Sequence, residues 1–237
     1  MRRVLVFSYD GSAFFGSQAQ EAGTPTVVQT LQDALSKLNI RSTICLSGRT
    51  DRGVHATGQV AHIDLPPFWK SEAKLKDELN RIVSPHIYIK KIVKVDDSFH
   101  ARYSATSRLY RYAISHSETS PFESRFVTFM PKQDLTTLRK KAKLFEGVHN
   151  FLYFCKNHAE QKSTIREIFS TRIYSHKSYT IITFCGSGFL HSQVRLMVFA
   201  ILNLSEDEIV RMLDLKARYN LRPAPPQGLY LAKVSYA

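Results

Sequence analysis

The densest chemistry in this sequence is the run Gly48-Arg49-Thr50-Asp51-Arg52-Gly53-Val54-His55-Ala56-Thr57-Gly58-Gln59, where one carboxylate lies between two arginines among three glycines. Arg49 and Arg52 favour a charged Asp51 by field and hydrogen bonding, while the glycines let the backbone approach a bulky ligand or take a positive φ. A carboxylate so flanked suits a nucleophile or base working beside a phosphate-bearing substrate. The same run also reads as a surface turn in which Asp51 ties down its own loop, the commoner use of such residues.

Further along, Tyr110 and Tyr112 alternate with Ile114 and share one strand face, which for tyrosines usually means core packing. Arg195 interrupts the apolar run from Phe189 to Ala200. It is either a snorkelling surface residue or a buried partner for a carboxylate. Arg102 and Arg108, with Arg49 and Arg52, are candidate phosphate contacts, which position RNA without reading it, and each is equally a solvated charge. The nine histidines include His55, His62, His100 and His191, and no His, Cys and carboxylate spacing resembles a metal site. Structural or RNA-contacting roles are expected for them, His55 among the latter, and no metal or cofactor is expected. Gly186-Ser187-Gly188 lacks the lysine of a nucleotide-binding loop.

These groups need elements to hold them. Val4 to Tyr9 is apolar and β-branched and ends at Asp10-Gly11-Ser12, predicting a buried strand and a turn. From Thr26 the apolar residues recur at helical spacing to Leu38, behind a Thr24-Pro25-Thr26 start. A strand over 42–46 and an alternating strand over 59–65 bracket the Asp51 run, which puts it on a connection, where functional groups often lie. A helix over 71–82 and a strand over 86–95 complete the order strand, helix, two strands, helix, strand. That is the ferredoxin-like pattern.

The second half reads as a strand from Thr106, a helix over 134–145, and strands near 150–154, 165–174 and 179–185. Helices near 189–202 and 206–213 and a last strand over 229–236 follow. The fold expected is α+β, two ferredoxin-like subdomains, 1–103 and 104–237. With no Pro/Gly-rich linker between them, they are expected to share one mainly antiparallel sheet.

Composition bounds the partners. The 237 residues carry 33 Lys+Arg against 20 Asp+Glu, a net charge of +13, which attracts polyanions. Hydrophobic residues at 43% and charged residues at 22% describe an ordinary globular chain. Cys45, Cys155 and Cys185 are odd in number and widely spaced, which argues against disulfides and zinc fingers. The basic, then apolar, start at Met1 to Phe7 is cut by Ser8-Tyr9-Asp10-Gly11, far short of a secretory signal, and no apolar stretch reaches the length of a membrane span. A reducing cytoplasm fits these features.

The run around Asp51 resembles the signature of the TruA family of tRNA pseudouridine synthases, with Gly-Arg-Thr before the catalytic aspartate and Gly-Val-His-Ala after it. Other segments agree in order: Tyr9-Asp10-Gly11-Ser12 with Gly16 and Gln18, Phe99-His100-Ala101-Arg102-Tyr103-Ser104-Ala105-Thr106, Arg108-Leu109-Tyr110-Arg111-Tyr112, Gly147-Val148-His149-Asn150-Phe151, Gly188-Phe189-Leu190 with Gln193-Val194-Arg195, and Gly228-Leu229-Tyr230-Leu231. The resemblance spans nearly the whole chain. It implies Asp51 as the essential carboxylate, Tyr110 as the ring packed on the target base, and Arg195 as the cation paired with Asp51. It also implies tRNA as substrate, at positions 38 to 40 of the anticodon arm, and a homodimer. Two departures stand out: Ser17 occupies a place where the family usually has tryptophan, and Phe199-Ala200 replaces a usual glycine. A non-catalytic RNA-binding protein would carry the same charge and fold, and a nuclease would need a metal or acid/base set that the sequence does not offer.

Overall fold

The computed structural model describes residues 1–21, 23–156 and 163–237. In chain order the elements are β1 (Arg2–Tyr9), α1 (Val27–Lys37), β2 (Cys45–Leu46), β3 (His55–Asp64), α2 (Glu72–Val83), β4 (Ile87–Lys94), β5 (Ala105–Ser115), β6 (Thr128–Phe129), α3 (Leu135–Lys143), β7 (Gly147–Asn150), β8 (Ile165–His176), β9 (Tyr179–Gly186), α4 (Gln193–Asn203), α5 (Glu206–Leu213) and β10 (Leu229–Tyr236). The class is α+β, and within each of its two units the described strand pairs are antiparallel except for β10 on β3 and β6 on β5. Two compact units are present, one of Met1–Thr106 with Tyr230–Ala237, the other of Ser107–Leu229.

In the first unit the strand order is β4-β1-β3-β10, with β2 added on β3. β1 lies between two partners, so Leu5 and Phe7 are fully buried and the strand reads as a nearly continuous apolar run. α1 starts where the Thr26 hydroxyl accepts the Gln29 N–H, 3.2 Å, and it buries Val27, Leu31, Ala34 and Leu35. α2 starts in the same way at Ser71 and turns Leu75, Leu79 and Val83 inward. One register matters for the site. β3 carries His55 at its first residue beside Tyr230, and His62 near its other end.

In the second unit the order is β5-β9-β8-β7, with β6 beside β5. α4 is apolar nearly all round and buries Val194, Leu196, Met197, Val198, Ala200, Ile201 and Leu202. That is the pattern of a helix inside a core. Three local expectations need correction. The strand expected over 42–46 shrinks to Cys45–Leu46. The strand expected near 150–154 ends at Asn150 and is followed by a 3₁₀ turn, Leu152–Phe154. There the three-residue spacing turns Phe151 and Phe154 together onto Phe145, at 6.4 and 5.2 Å between ring centroids. The helix expected from Phe189 begins only at Gln193, because Ser192 sits in the left-handed region, φ +58°. The Gln193 side chain occupies the preceding turn by accepting the Leu190 N–H, 2.8 Å.

Candidate active site

The loop between β2 and β3 is held from beneath by buried polar groups. Ser17, fully buried, makes a reciprocal pair with Thr50: the Thr50 N–H donates to Ser17 Oγ, 2.8 Å, and the Ser17 N–H donates to the Thr50 carbonyl, 3.1 Å. The Tyr9 hydroxyl and the Thr50 hydroxyl share a hydrogen bond of 2.7 Å. Burial pushes the Tyr9 phenol up to about 12, so it serves as a neutral hydroxyl across physiological pH. The buried Gln59 amide donates to the Gly48 carbonyl, 3.0 Å, and accepts from the Ser47 hydroxyl, 2.7 Å. The stretch from Ser47 to Thr50 that leads into Asp51 is therefore tied to buried groups beneath it.

Two glycines have a geometric reason to be here. Gly16, at φ +105°, passes so close that a Cβ would lie 3.3 Å from the Thr50 carbonyl oxygen. Gly53, at φ +76°, closes the turn after Asp51, where the Val54 N–H reaches the Asp51 carbonyl at 3.1 Å. Within this frame Asp51 is partly buried, and Arg49 and Arg52 on either side are exposed.

His55 has a different setting. Its ring is buried, stacked on Tyr230 at 4.9 Å, and its Nδ1 accepts the Gly11 N–H, 3.0 Å. That bond leaves the ring proton to Nε2 in the neutral form, so the 3.4 Å approach of Nδ1 to Asp10 is no ion pair in this tautomer. Burial, with Asp10 adding to it, pushes the Tyr230 phenol up as well. The side chain of His55 thus fixes the entry into β3.

Arg102 lies away from this end of the unit. Its neighbour His100 contacts His62 at 4.9 Å between rings, and the Ala101 N–H donates to His62 Nδ1, 3.1 Å. His62 stands roughly 23 Å along β3 from His55, at about 3.3 Å per residue. The structure therefore groups Arg49, Asp51 and Arg52 and leaves Arg102 near the far end of the strand. Cys45 joins His62 and His100 there, with ligand-type atoms within 4.8 Å of one another. Cys45 comes beside His62 through the β2–β3 register and His100 reaches them on the connection between β4 and β5, so sequence spacing gave no sign of the cluster. Its chemistry does not suit a cation. Both imidazoles accept backbone N–H groups at Nδ1, His100 from Arg102 and Tyr103 at 3.2 and 3.3 Å, which puts the proton on the Nε2 that a metal would need. Burial lowers the pKa of His62, with Arg2 and His100 acting the same way.

The remaining candidates belong to the second unit. Tyr110 is buried on β5 opposite Phe184 and meets the edge of Phe189, centroids 5.0 Å apart. Tyr112, two residues on, is fully buried, and its hydroxyl bonds Thr128, 2.8 Å, and the Pro225 carbonyl, 3.0 Å. That burial makes Tyr112 a core residue and pushes its phenol up to about 12 against the opposing pull of Thr128 and the Arg195 charge. Arg195 sits in the first turn of α4. Its Nε donates to the Ala224 carbonyl, 2.6 Å, and its own carbonyl accepts the Ala224 N–H, 3.0 Å. This pair of bonds sets the direction in which the guanidinium leaves the helix. Arg108, half-buried, donates to the Ser187 carbonyl, 2.8 Å.

Comparison with known proteins places the chain as a whole. A family model described as tRNA pseudouridine synthase matches residues 5–104 and 142–237. The chain is similar to the tRNA pseudouridine synthase A of Campylobacter jejuni strain RM1221, 40% identical over 241 residues and all of both chains. It is also similar to those of Wolinella succinogenes, 39% identical over all of this chain and 95% of the relative, and Limosilactobacillus reuteri, 38% identical over 99% and 96%. With the aspartate loop built as described and similarity running the length of the chain, this protein belongs to the tRNA pseudouridine synthase family.

Proposed function

We propose that this chain isomerises uridine to pseudouridine in the anticodon arm of tRNA, at positions 38 to 40, with Asp51 as the catalytic carboxylate. The observation that carries this reading is the aspartate loop itself. It is a partly buried carboxylate between two exposed arginines, on a backbone clamped by Ser17, Tyr9 and Gln59. A surface turn that only ties itself down has no need of a buried network beneath it.

The reaction exchanges the C1′–N1 bond of uridine for a C1′–C5 bond, with loss of the C5 proton and gain of one at N1. It is balanced without an oxidant or an energy source, so no cofactor is called for. The target nucleotide must leave its stack, and the base must be held while detached. Asp51 initiates the bond exchange, Tyr110 offers a ring in place of the lost stacking, and Arg195 is the cation that the family resemblance assigns to Asp51. Arg49, Arg52, Arg102 and Arg108 take phosphates, and the +13 net charge supplies the attracting field. His55 acts by holding the start of β3 and, with it, the end of the aspartate loop. The enzyme works as a homodimer in the cytoplasm, so that two copies enlarge the basic surface offered to one tRNA. No helix of the described residues is long and apolar enough to cross a membrane.

The deciding experiment maps pseudouridine in tRNA treated with the purified protein, wild type and Asp51→Asn. Wild type forms product at positions 38 to 40, whereas Asp51→Asn forms none and binds tRNA within a few-fold of wild type. Product from the Asn variant overturns the assignment of Asp51. A wild type that binds tRNA and forms no product makes the protein an RNA-binding protein instead. Sedimentation of the active species as a monomer removes the homodimer.

A further inference from the structure

Beside Asp51, Arg52, given above only a phosphate to hold, shares a surface with an aromatic ring that the functional reading does not use. Phe15 precedes Gly16 on the segment that carries Ser17. Its backbone is tied at both ends, the N–H donating to the Pro25 carbonyl, 2.9 Å, and the carbonyl accepting from the Gln20 amide. Yet the residue stays 41% exposed. Over its ring lies the Arg52 guanidinium, 4.0 Å from the centroid. Arg52 is exposed, and among the described residues its guanidinium has no ion-pair or hydrogen-bond partner. The ring of Phe15 is what holds it in place.

A guanidinium stacked by one face on an aromatic ring keeps its other face and its N–H edge for a ligand, in an orientation a free arginine would not hold. An unstacked base is the ligand that suits such a plane: flat and apolar on its faces, and joined to phosphates that favour a cation. Extruding a uridine creates that ligand, because the neighbouring base loses its stacking partner on one side. Arg52 immediately follows the carboxylate assigned to the extruded uridine.

We propose that Phe15 and Arg52 form a stacked platform that receives the base next to the target uridine. Arg52 is the binding residue, through its open face. Phe15 is the positioning residue that holds that face in place. The proposal rests on the tRNA-isomerase reading above and adds to it a residue, Phe15, and a ligand, the flanking base.

The test uses anticodon-arm RNAs with 2-aminopurine on one or the other side of the target uridine, a probe whose fluorescence is quenched by stacking. Arg52→Lys keeps the charge and loses the plane. Phe15→Leu keeps apolar packing and loses the ring. With the probe on the side the platform serves, the wild-type complex stays quenched and both variants brighten. Their KM rises about fivefold or more, the lower end of what one base stack contributes, and kcat falls by a smaller factor. Unchanged quenching and KM in Arg52→Lys overturn the platform, and this surface variant decides alone if Phe15→Leu fails to fold by thermal unfolding. Brightening in neither probe position, with only a uniform loss of affinity, reduces Arg52 to a phosphate contact and also overturns it. A wild type that forms no pseudouridine condemns the isomerase reading and the platform with it. A wild type that turns over beside unaffected variants condemns the platform alone.

Discussion

Ser17 carries more of the site than its size suggests. Its position is one where the resembling family usually has a large indole, and here a hydroxyl fills a fully buried place and accepts the Thr50 N–H directly. Ser17→Ala leaves that N–H buried without its acceptor, which costs about 1–3 kcal/mol, measurable as a fall in the denaturant midpoint. Thr50 is the residue before Asp51, so the looser loop also lowers kcat, by about tenfold or more if the carboxylate drifts toward an ångström out of place. A stability loss without any loss of kcat would separate the Ser17 clamp from catalysis. At this scale the sequence was legible in part. The types and spacing around Asp51 pointed to the loop, and the exposure of Arg49 and Arg52 fits phosphate contact. The burial of His55 and the distance of Arg102 from the loop were not legible, since both depend on where β3 lies among its neighbours.

At the scale of elements, the helices could be read from the chain because their signals are local. Thr26, Ser71, Asp134 and Ser205 each accept backbone N–H groups in the first turn, and the buried residues of α1, α2 and α5 follow at three- and four-residue spacing. β2 and β6 have two residues each, too few to show a period, so the sequence overstates β2 and carries no signal for β6. The strand that matters most for the loop is β10, which runs parallel to β3 and stacks Tyr230 on His55. Gly58 lets the two approach: a Cβ there would overlap the Ala232 carbonyl oxygen. Gly58→Ala forces these backbones apart and destabilises the protein by about 3 kcal/mol, the upper range for overpacking, read as a lower thermal midpoint. A variant as stable as wild type would show that β10 gives way at no cost.

For the molecule as a whole, charge is the property that acts at a distance. An excess of 13 cationic groups makes tRNA binding strongly dependent on salt, because each phosphate neutralised releases counterions. Affinity should fall linearly with salt on logarithmic axes, and Arg49→Ala should reduce the slope by about one while weakening different tRNAs alike. A slope unchanged by Arg49→Ala would remove that residue from the phosphate contacts. The 38–40% identity to enzymes of three genera extends over essentially the whole chain, and the departures at Ser17 and at Phe199-Ala200 are departures from the pattern that the resemblance implies. Ala200 is fully buried in α4, where a glycine would weaken the helix that presents Arg195. The second departure therefore strengthens a local element.

By itself the sequence determined the α+β class, the approximate places of the helices, the strongly basic character and the likeness of the Asp51 run to a family signature. Each of these is carried by residues adjacent in the chain or by their sum. Tertiary structure alone decided that Ser17 and Gln59 clamp the loop, that His55 is spent on β3, that Cys45 meets two histidines, and that Phe15 holds Arg52. These pairings are set by strand register and by loops that return to the same place. A hydrogen bond or a ring stack depends on separations of a few ångströms, whatever the number of residues between its partners.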